Sequence, residues 1–166
     1  ASSLVGSEMC IRDSPQRGVT SKDIVLNLIK LIGTAGGTGH AIEFSGSYIS
    51  SASMESRMTI CNMAIEAGAK VGLAGVDETT LDYVKKHSNL SDSIFGKASE
   101  YWQTLKSDPD AYFDQTINID VSKIKPQVTW GTSPEMTIDF DADIPSQEDI
   151  NEACLLYTSD AADECD

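Results

Sequence analysis

The chain has 166 residues, of which 40% are hydrophobic and 7% aromatic, and its formal net charge at pH 7 is −14. This length and composition predict one globular domain, or one domain and a small part of a second. The acidic balance argues against nucleic-acid binding, which needs clustered Lys and Arg. No apolar run approaches the roughly 18 residues of a membrane span, so we expect no membrane partner.

The predicted elements alternate between helices and short apolar strands. Thr20 and Asp23 match a capping box that begins a helix, and Gly33 ends it. Further helices are predicted over residues 53–68, 77–87 and 97–107, and strands over residues 41–46, 71–75, 116–122 and 137–141. Residues 126–136 are predicted to form a loop. The alternation predicts an α/β domain with layered helices and strands.

The two ends of the chain do not share this pattern. Residues 1–14 and 154–166 show no clear amphipathic period, and both resemble peptides produced when adapter DNA is translated with an assembled sequencing read. We therefore expect both ends to be non-native. No Lys or Arg follows Lys125, whereas eleven Asp or Glu do, and a solvated acidic tail is the simplest interpretation.

Cysteines, histidines and glycines give no established motif. The four cysteines form no Cys-x-x-Cys pair, so neither a zinc site nor a redox pair is predicted, and a reducing cytoplasm is the expected compartment. No secretory signal is predicted, because the sequence shows no basic region followed by an apolar core. His40 and His87 fall in different elements, and no nucleophile-elbow motif accompanies them. The stretch 33–39 (GTAGGTG) lacks the Gly-Lys-Ser/Thr ending of a phosphate loop, which favours a flexible connector.

Polar residues interrupt the apolar stretch RMTICNMAIEAGAK at residues 57–70. On a continuous helix Asn62 and Glu66 are four residues apart and share one face, whereas Cys61 is expected to be a small core residue. Burying an unpaired carboxylate costs several kcal/mol, roughly. Glu66 must therefore reach solvent, find a partner or point into a polar site, and the spacing leaves all three open.

Three long segments resemble isopropylmalate dehydratase large subunits of the aconitase superfamily. They are SKDIVLNLIKLIGTAGGTGHAIEFSGS, SMESRMTICNMAIEAGAKVGLAGVDETTLDYVK and KPQVTWGTSPEM. The resemblance runs from about Gly18 to about Pro145 and covers an internal part of such a subunit. It implies α/β/α layers, with an aconitase-type domain over residues 15–125 and the beginning of the next domain over residues 126–153.

The resemblance also implies an activity. Enzymes of this family are hydro-lyases that use a [4Fe–4S] cluster, and this branch isomerises 2-isopropylmalate to 3-isopropylmalate by dehydration and rehydration in leucine biosynthesis. A separate small subunit would be the partner. The alternatives are homoaconitase or a related isomerase of the superfamily, and a non-catalytic binding or assembly module.

The family's Ile-Cys-Asn-Met…Glu pattern falls on residues 60–63 and 66. The resemblance implies that Asn62 and Glu66 are catalytic, that Asn62 also contacts the cluster, and that Cys61 is no ligand. The family's Asp-Ser-His segment and its three cluster cysteines are absent here, and Cys154 and Cys165 stand in the wrong context to replace them. Ser56 stands where the family commonly has Gly. We therefore expect this chain to hold no metal and to be inactive alone.

Overall fold

The computed structural model describes residues 5–108, 110–143 and 145. The helices are α1 (Ser21–Ile32), α2 (Ser47–Ser51), α3 (Met54–Met63), α4 (Glu78–His87) and α5 (Asp92–Gln103). The strands are β1 (Val5–Arg12), β2 (His40–Ser45), β3 (Val71–Ala74), β4 (Gln115–Asp120), β5 (Gln127–Thr129) and β6 (Thr137–Asp139). The predicted α/β class is confirmed, and the predictions for residues 146–166 lie outside the described residues.

Strands β1 to β4 form one parallel sheet in the order β3-β2-β1-β4. The chain steps outward from β1 to β3 and then returns to place β4 on the other side of β1. Strands β5 and β6 form a separate antiparallel pair. None of the helices among the described residues is long and apolar enough to cross a membrane.

The structure differs from the sequence prediction at residues 5–12. No element is predicted there, whereas the structure has the internal strand β1. Ser7, Met9 and Ile11 point into the core in alternation, and only two of these three are apolar. Neighbouring strands complete the pattern, since Met9 lies beside Phe44 on β2 and beside Ile117 on β4. A strand that is stabilised mainly by contacts with neighbouring strands shows only a weak pattern in its own sequence. That residues 1–14 are non-native stays a prediction.

One face of the sheet carries the hydrophobic core. Ile42 and Phe44 of β2 are buried with Ile24 and Leu28 of α1 and with Ile60 of α3, in a single cluster. Alternate strand residues point to the other face, which carries carboxylates on β1 and β2. On that face Glu8 and Glu43 are neighbours in register; Ser45 donates to Glu8, and Ser107, beyond α5, donates to Glu43. Helices α1 and α3 therefore cover the apolar face of the sheet, and the segment after α5 reaches the opposite face.

Arg57 is a buried cation that joins three helices. Its side chain is 3% exposed by residue area. The guanidinium donates to both carboxylate oxygens of Asp77 at 2.7 Å, and to the carbonyls of Ser50 and Ala52 and the hydroxyl of Thr80 at 3.2 Å. Asp77 also caps α4. One side chain thus ties the end of α2, α3 and the start of α4 together.

Asp23 joins the start of α1 to the β5–β6 pair. One carboxylate oxygen accepts from the backbone and hydroxyl of Thr20, at 2.7 and 2.6 Å, which confirms the predicted capping box. The other accepts from the backbone N–H of Gln127 at 2.7 Å. Burial works to raise the pKa of Asp23, but these hydrogen bonds outweigh it and lower the pKa below its usual value.

We expect Arg57→Met to destabilise the chain by about 2–4 kcal/mol, because two carbonyls and a carboxylate lose a charged donor. Urea unfolding measures the change. Arg17→Met, at an exposed arginine, is the matched control and should cost little. A loss as small as that of the control would contradict the structural role of Arg57.

The effect of Arg57→Met should depend on pH. The hydrogen bond from Arg57 lowers the pKa of Asp77 in the folded state. A lowered folded pKa stabilises the fold above the unfolded value of about 4, and this contribution is lost as the pH falls through the folded value. The difference between wild type and Arg57→Met should therefore shrink below about pH 4 in urea titrations.

Asp23→Ala should cost about 1–3 kcal/mol, because it removes a helix cap and the anchor of β5. Asp82→Ala removes an exposed aspartate from α4 and is the control. Amide exchange separates the loss of the β5 anchor from the loss of the helix cap, because it follows the N–H of Gln127 directly. This N–H should lose protection in Asp23→Ala and keep it in Asp82→Ala. An unchanged rate at Gln127 would contradict the anchor.

Candidate functional site

A cavity of about 680 Å³ lies between the start of α1, the turn after α3 and the segment 127–134. Hydroxyl groups dominate its lining, together with two carboxylates and one cation. The hydroxyl residues are Thr20, Thr34, Thr129, Thr132 and Ser133; the charged ones are Lys22, Asp23 and Glu66. The cavity is suited to a small polar ligand that exchanges hydrogen bonds with hydroxyl groups.

Only one of the two lining carboxylates is free for chemistry. The hydrogen bonds that lower the pKa of Asp23 also occupy both of its oxygens, so it serves as a structural anion. Glu66 is exposed to solvent and, within the described part of the chain, accepts no hydrogen bond. Of the three outcomes that the spacing left open, the structure has Glu66 reaching solvent at the wall of a polar cavity.

Gln127 lines the cavity, and its side-chain amide is bonded to neighbouring residues. Its Nε2 donates to the carbonyl of Lys125 at 2.8 Å and to Asp139 at 2.7 Å. Its Oε1 is buried and has no partner among the described residues. A buried acceptor left unpaired is costly, so this atom is a locally unfavourable feature of the segment.

The predicted helix over residues 53–68 ends early, and this separates Asn62 from Glu66. Helix α3 ends at Met63, and the chain continues in tight turns with hydrogen bonds from Glu66 to Met63 and from Gly68 to Ile65. Such turns advance about 120° per residue, compared with about 100° in an α-helix. The expectation that Asn62 and Glu66 share one helical face is therefore wrong for this structure.

Asn62 lines a different depression, of about 200 Å³. Its neighbours there include Arg57, Met58, Cys61 and Thr80. The structure thus places Glu66 at the polar cavity and Asn62 outside it. The catalytic roles of both residues, and the cofactor contact of Asn62, stay predictions.

The cysteines and histidines are not arranged as a metal centre. Cys61 is half-buried against the core, and burial raises the pKa of its thiol, which disfavours the thiolate that binds metals. Cys10 lies on β1, away from α3. His40 and His87 each place Nδ1 against a nearby backbone carbonyl, at 2.9 and 2.8 Å. In residues 5–108, 110–143 and 145, no three His, Cys, Asp or Glu converge as metal ligands.

These residues therefore do not fit an iron–sulfur cluster by themselves. Such a cluster is held by several cysteine thiolates in one place. The two cysteines that the structure describes lie on separate elements, and one of them favours the neutral thiol. A cluster next to this chain would need ligands from elsewhere.

The glycine-rich loop 33–39 contributes to the site in a way that the sequence did not predict. It packs against the turn that carries Glu66, where Gly37 donates to the carbonyl of Ala67 at 2.7 Å. It also reaches Glu135, the residue that directly follows the lining segment 127–134, where Thr34 donates to the Glu135 carboxylate. The prediction of a flexible connector missed these contacts. Three glycines within four residues, at 36, 37 and 39, were the available signal for close packing.

Comparison with known proteins assigns the family. The sequence model of the aconitase family (aconitate hydratase) matches residues 8–164. The 3-isopropylmalate dehydratase large subunit of Psychrobacter cryohalolentis is 57% identical over 138 residues, which cover 82% of this chain and 29% of that protein. The protein of the same name from Psychrobacter arcticus is 56% identical over the same shares. The chain thus spans under a third of the length of these curated relatives, and it belongs to the aconitase family.

Proposed function

We propose that this chain is part of a 3-isopropylmalate dehydratase large subunit, a hydro-lyase that isomerises 2-isopropylmalate to 3-isopropylmalate in leucine biosynthesis. The observation that carries the proposal is the identity of 56–57% over 138 residues to two proteins of that name. The polar cavity supports it, since its hydroxyl groups can donate hydrogen bonds to the hydroxyl and the carboxylates of a hydroxy diacid. The cytoplasm is the compartment we propose.

Glu66 is the group of this chain that we propose for proton transfer. Removing water from a hydroxy acid needs a base for the C–H proton and an acid for the departing hydroxyl. Glu66 is suited to either task because its carboxylate is exposed on the cavity wall and is not engaged by the described residues. Asn62, with an amide at the surface of α3, is proposed to contact the cofactor.

The proposed parent enzyme carries a [4Fe–4S] cluster held by cysteines outside this chain, where it supplies a Lewis acid for the hydroxyl and carboxylate of the substrate. A small subunit completes the proposed enzyme. Homoaconitase, or a related isomerase of the family, is the alternative within this chemistry. Substrates of these enzymes differ in one side group.

A non-catalytic assembly module is the alternative from another class. The exposed apolar side chains near α5 favour it, since apolar surface of this kind marks an interface. Ile94, Tyr101 and Leu105 are 56%, 64% and 55% exposed. A module of this type would bind its partner whether or not Glu66 is intact.

The decisive test uses the complete large subunit that contains this segment, assembled with its small subunit and cluster. Glu66→Gln should lower kcat for isopropylmalate by about 10²–10⁴-fold, because the group that transfers the proton is lost. Asp143→Asn, at an exposed carboxylate, is the control and should retain activity. If the wild-type enzyme prefers homocitrate or citrate, that compound replaces isopropylmalate as the proposed substrate. Full activity in Glu66→Gln would show that Glu66 does not transfer the proton.

We also expect the isolated 166-residue chain to bind no cluster. After anaerobic reconstitution with iron and sulfide, its spectrum should lack the broad visible absorbance of an iron–sulfur cluster, because the described residues offer no group of thiolates. Stoichiometric iron and sulfide on the purified chain would contradict this expectation.

A further inference from the structure

The glycine-rich loop 33–39 lies between two walls of the cavity and contacts both. On one side the N–H of Gly37 donates to the carbonyl of Ala67, the residue that follows Glu66, at 2.7 Å. On the other side the N–H and hydroxyl of Thr34 donate to Oε2 of Glu135, at 3.1 and 3.4 Å. Glu135 directly follows the lining segment that ends at Pro134. A single loop therefore sets the distance between Glu66 and the opposite wall.

The loop and the turn fit so closely that only glycine is accommodated at their contact. A Cβ on Gly37 would lie 2.9 Å from the carbonyl oxygen of Ala67 and 3.0 Å from the nitrogen of Ala69. From the other side, a Cβ on Gly68 would lie 2.9 Å from the carbonyl oxygen of Thr34. Because these obstacles are backbone atoms, a side chain at Gly37 must displace the turn itself.

Gly37 offers a clean steric probe of this contact. Gly68 has a φ of +85°, so a substitution there would add backbone strain, whereas Gly37 is not among the residues with positive φ. A methyl group at Gly37 would therefore act through its contacts alone. The displaced atoms belong to the residues immediately after Glu66, and its carboxylate would move with them.

We propose that Gly37 and Glu135 are positioning residues of the catalytic site, which hold Glu66 at its working distance from the segment 129–134. The inference rests on the proposed function, because it takes Glu66 as the group that transfers the proton. Neither positioning residue touches the reacting atoms. Their effect is on kcat, since displacing a reacting group by about 1 Å costs up to about 10²-fold in rate.

Gly37→Ala in the complete enzyme is the first test. We expect kcat to fall by about 10–100-fold while KM changes by less than about threefold, because the walls remain and the reacting group is displaced. Gly75→Ala is the matched control, since a Cβ on Gly75 would meet no atom within 4 Å and its φ is not positive. Equal kcat values for the two variants would overturn the role of Gly37.

Glu135 gives a second test that does not disturb packing, because its side chain is exposed. Glu135→Ala should lower kcat by about 3–10-fold, a smaller effect because solvent competes for the bonds to Thr34. Glu135→Gln keeps an acceptor oxygen and should restore most of the rate. Asp143→Ala removes an exposed carboxylate eight residues further along the chain and should have no effect. If Gly37→Ala fails to fold, the Glu135 variants and Asp143→Ala test the inference by themselves. Equal kcat values for Glu135→Ala and Asp143→Ala would overturn it.

Amide exchange in the 166-residue chain supplies a readout without turnover. The N–H of Thr34 should exchange faster in Glu135→Ala and keep its wild-type rate in Asp143→Ala; equal rates in the two variants would remove the contact on which the inference depends.

The outcomes for the two proposals are distinct. A wild-type enzyme that turns over no isopropylmalate rejects the proposed function, whereas an active wild type with unaffected variants rejects only the positioning role.

Discussion

The carboxylate of Asp23 connects two parts of the chain that are 104 residues apart, and the cavity depends on that connection. One oxygen closes the cap of α1, and the other accepts from the N–H of Gln127 at the start of β5. Burial disfavours the charged form of Asp23 and works to raise its pKa, yet the hydrogen bonds keep that pKa low. A carboxylate used in this way has no free oxygen for chemistry, which is why Glu66 is the carboxylate that we propose for proton transfer.

Helix α1 acts as a spacer between two attachment points of the segment 127–139. Asp23 holds that segment at the first turn of the helix, and Thr34, just beyond the last turn, holds Glu135. A helix of 12 residues is about 18 Å long, so the two attachments are well separated. The segment spans this distance with its own internal bonds, including those from Gln127 to Asp139. The spacing between the two attachment points therefore follows from the length of a regular element.

Local patterns predicted what local interactions determine. The capping box of α1 and the short strands β2, β3 and β4 all followed from spacing within a few residues. Strand β1 was missed because its place depends on Phe44 and Ile117 in neighbouring strands. The early end of α3 was also missed, and the turn that follows it is bonded to a distant residue, since the N–H of Gly37 donates to the carbonyl of Ala67 thirty residues away. The resemblance named Glu66, but only the fold shows which cavity it lines.

The charge of the cavity bears on how a diacid could be held. Among the lining residues that the structure describes, Lys22 is the only cation and Asp23 and Glu66 are the anions, in a chain of net charge −14. A dianionic substrate would meet repulsion here unless positive charge came from outside the segment. The chain covers 29% of its curated relatives, and Asn62 opens into a second depression. Both observations support a reacting centre completed by the rest of the proposed enzyme, in which this chain contributes the hydroxyl-lined wall, one free carboxylate and the loop that positions it.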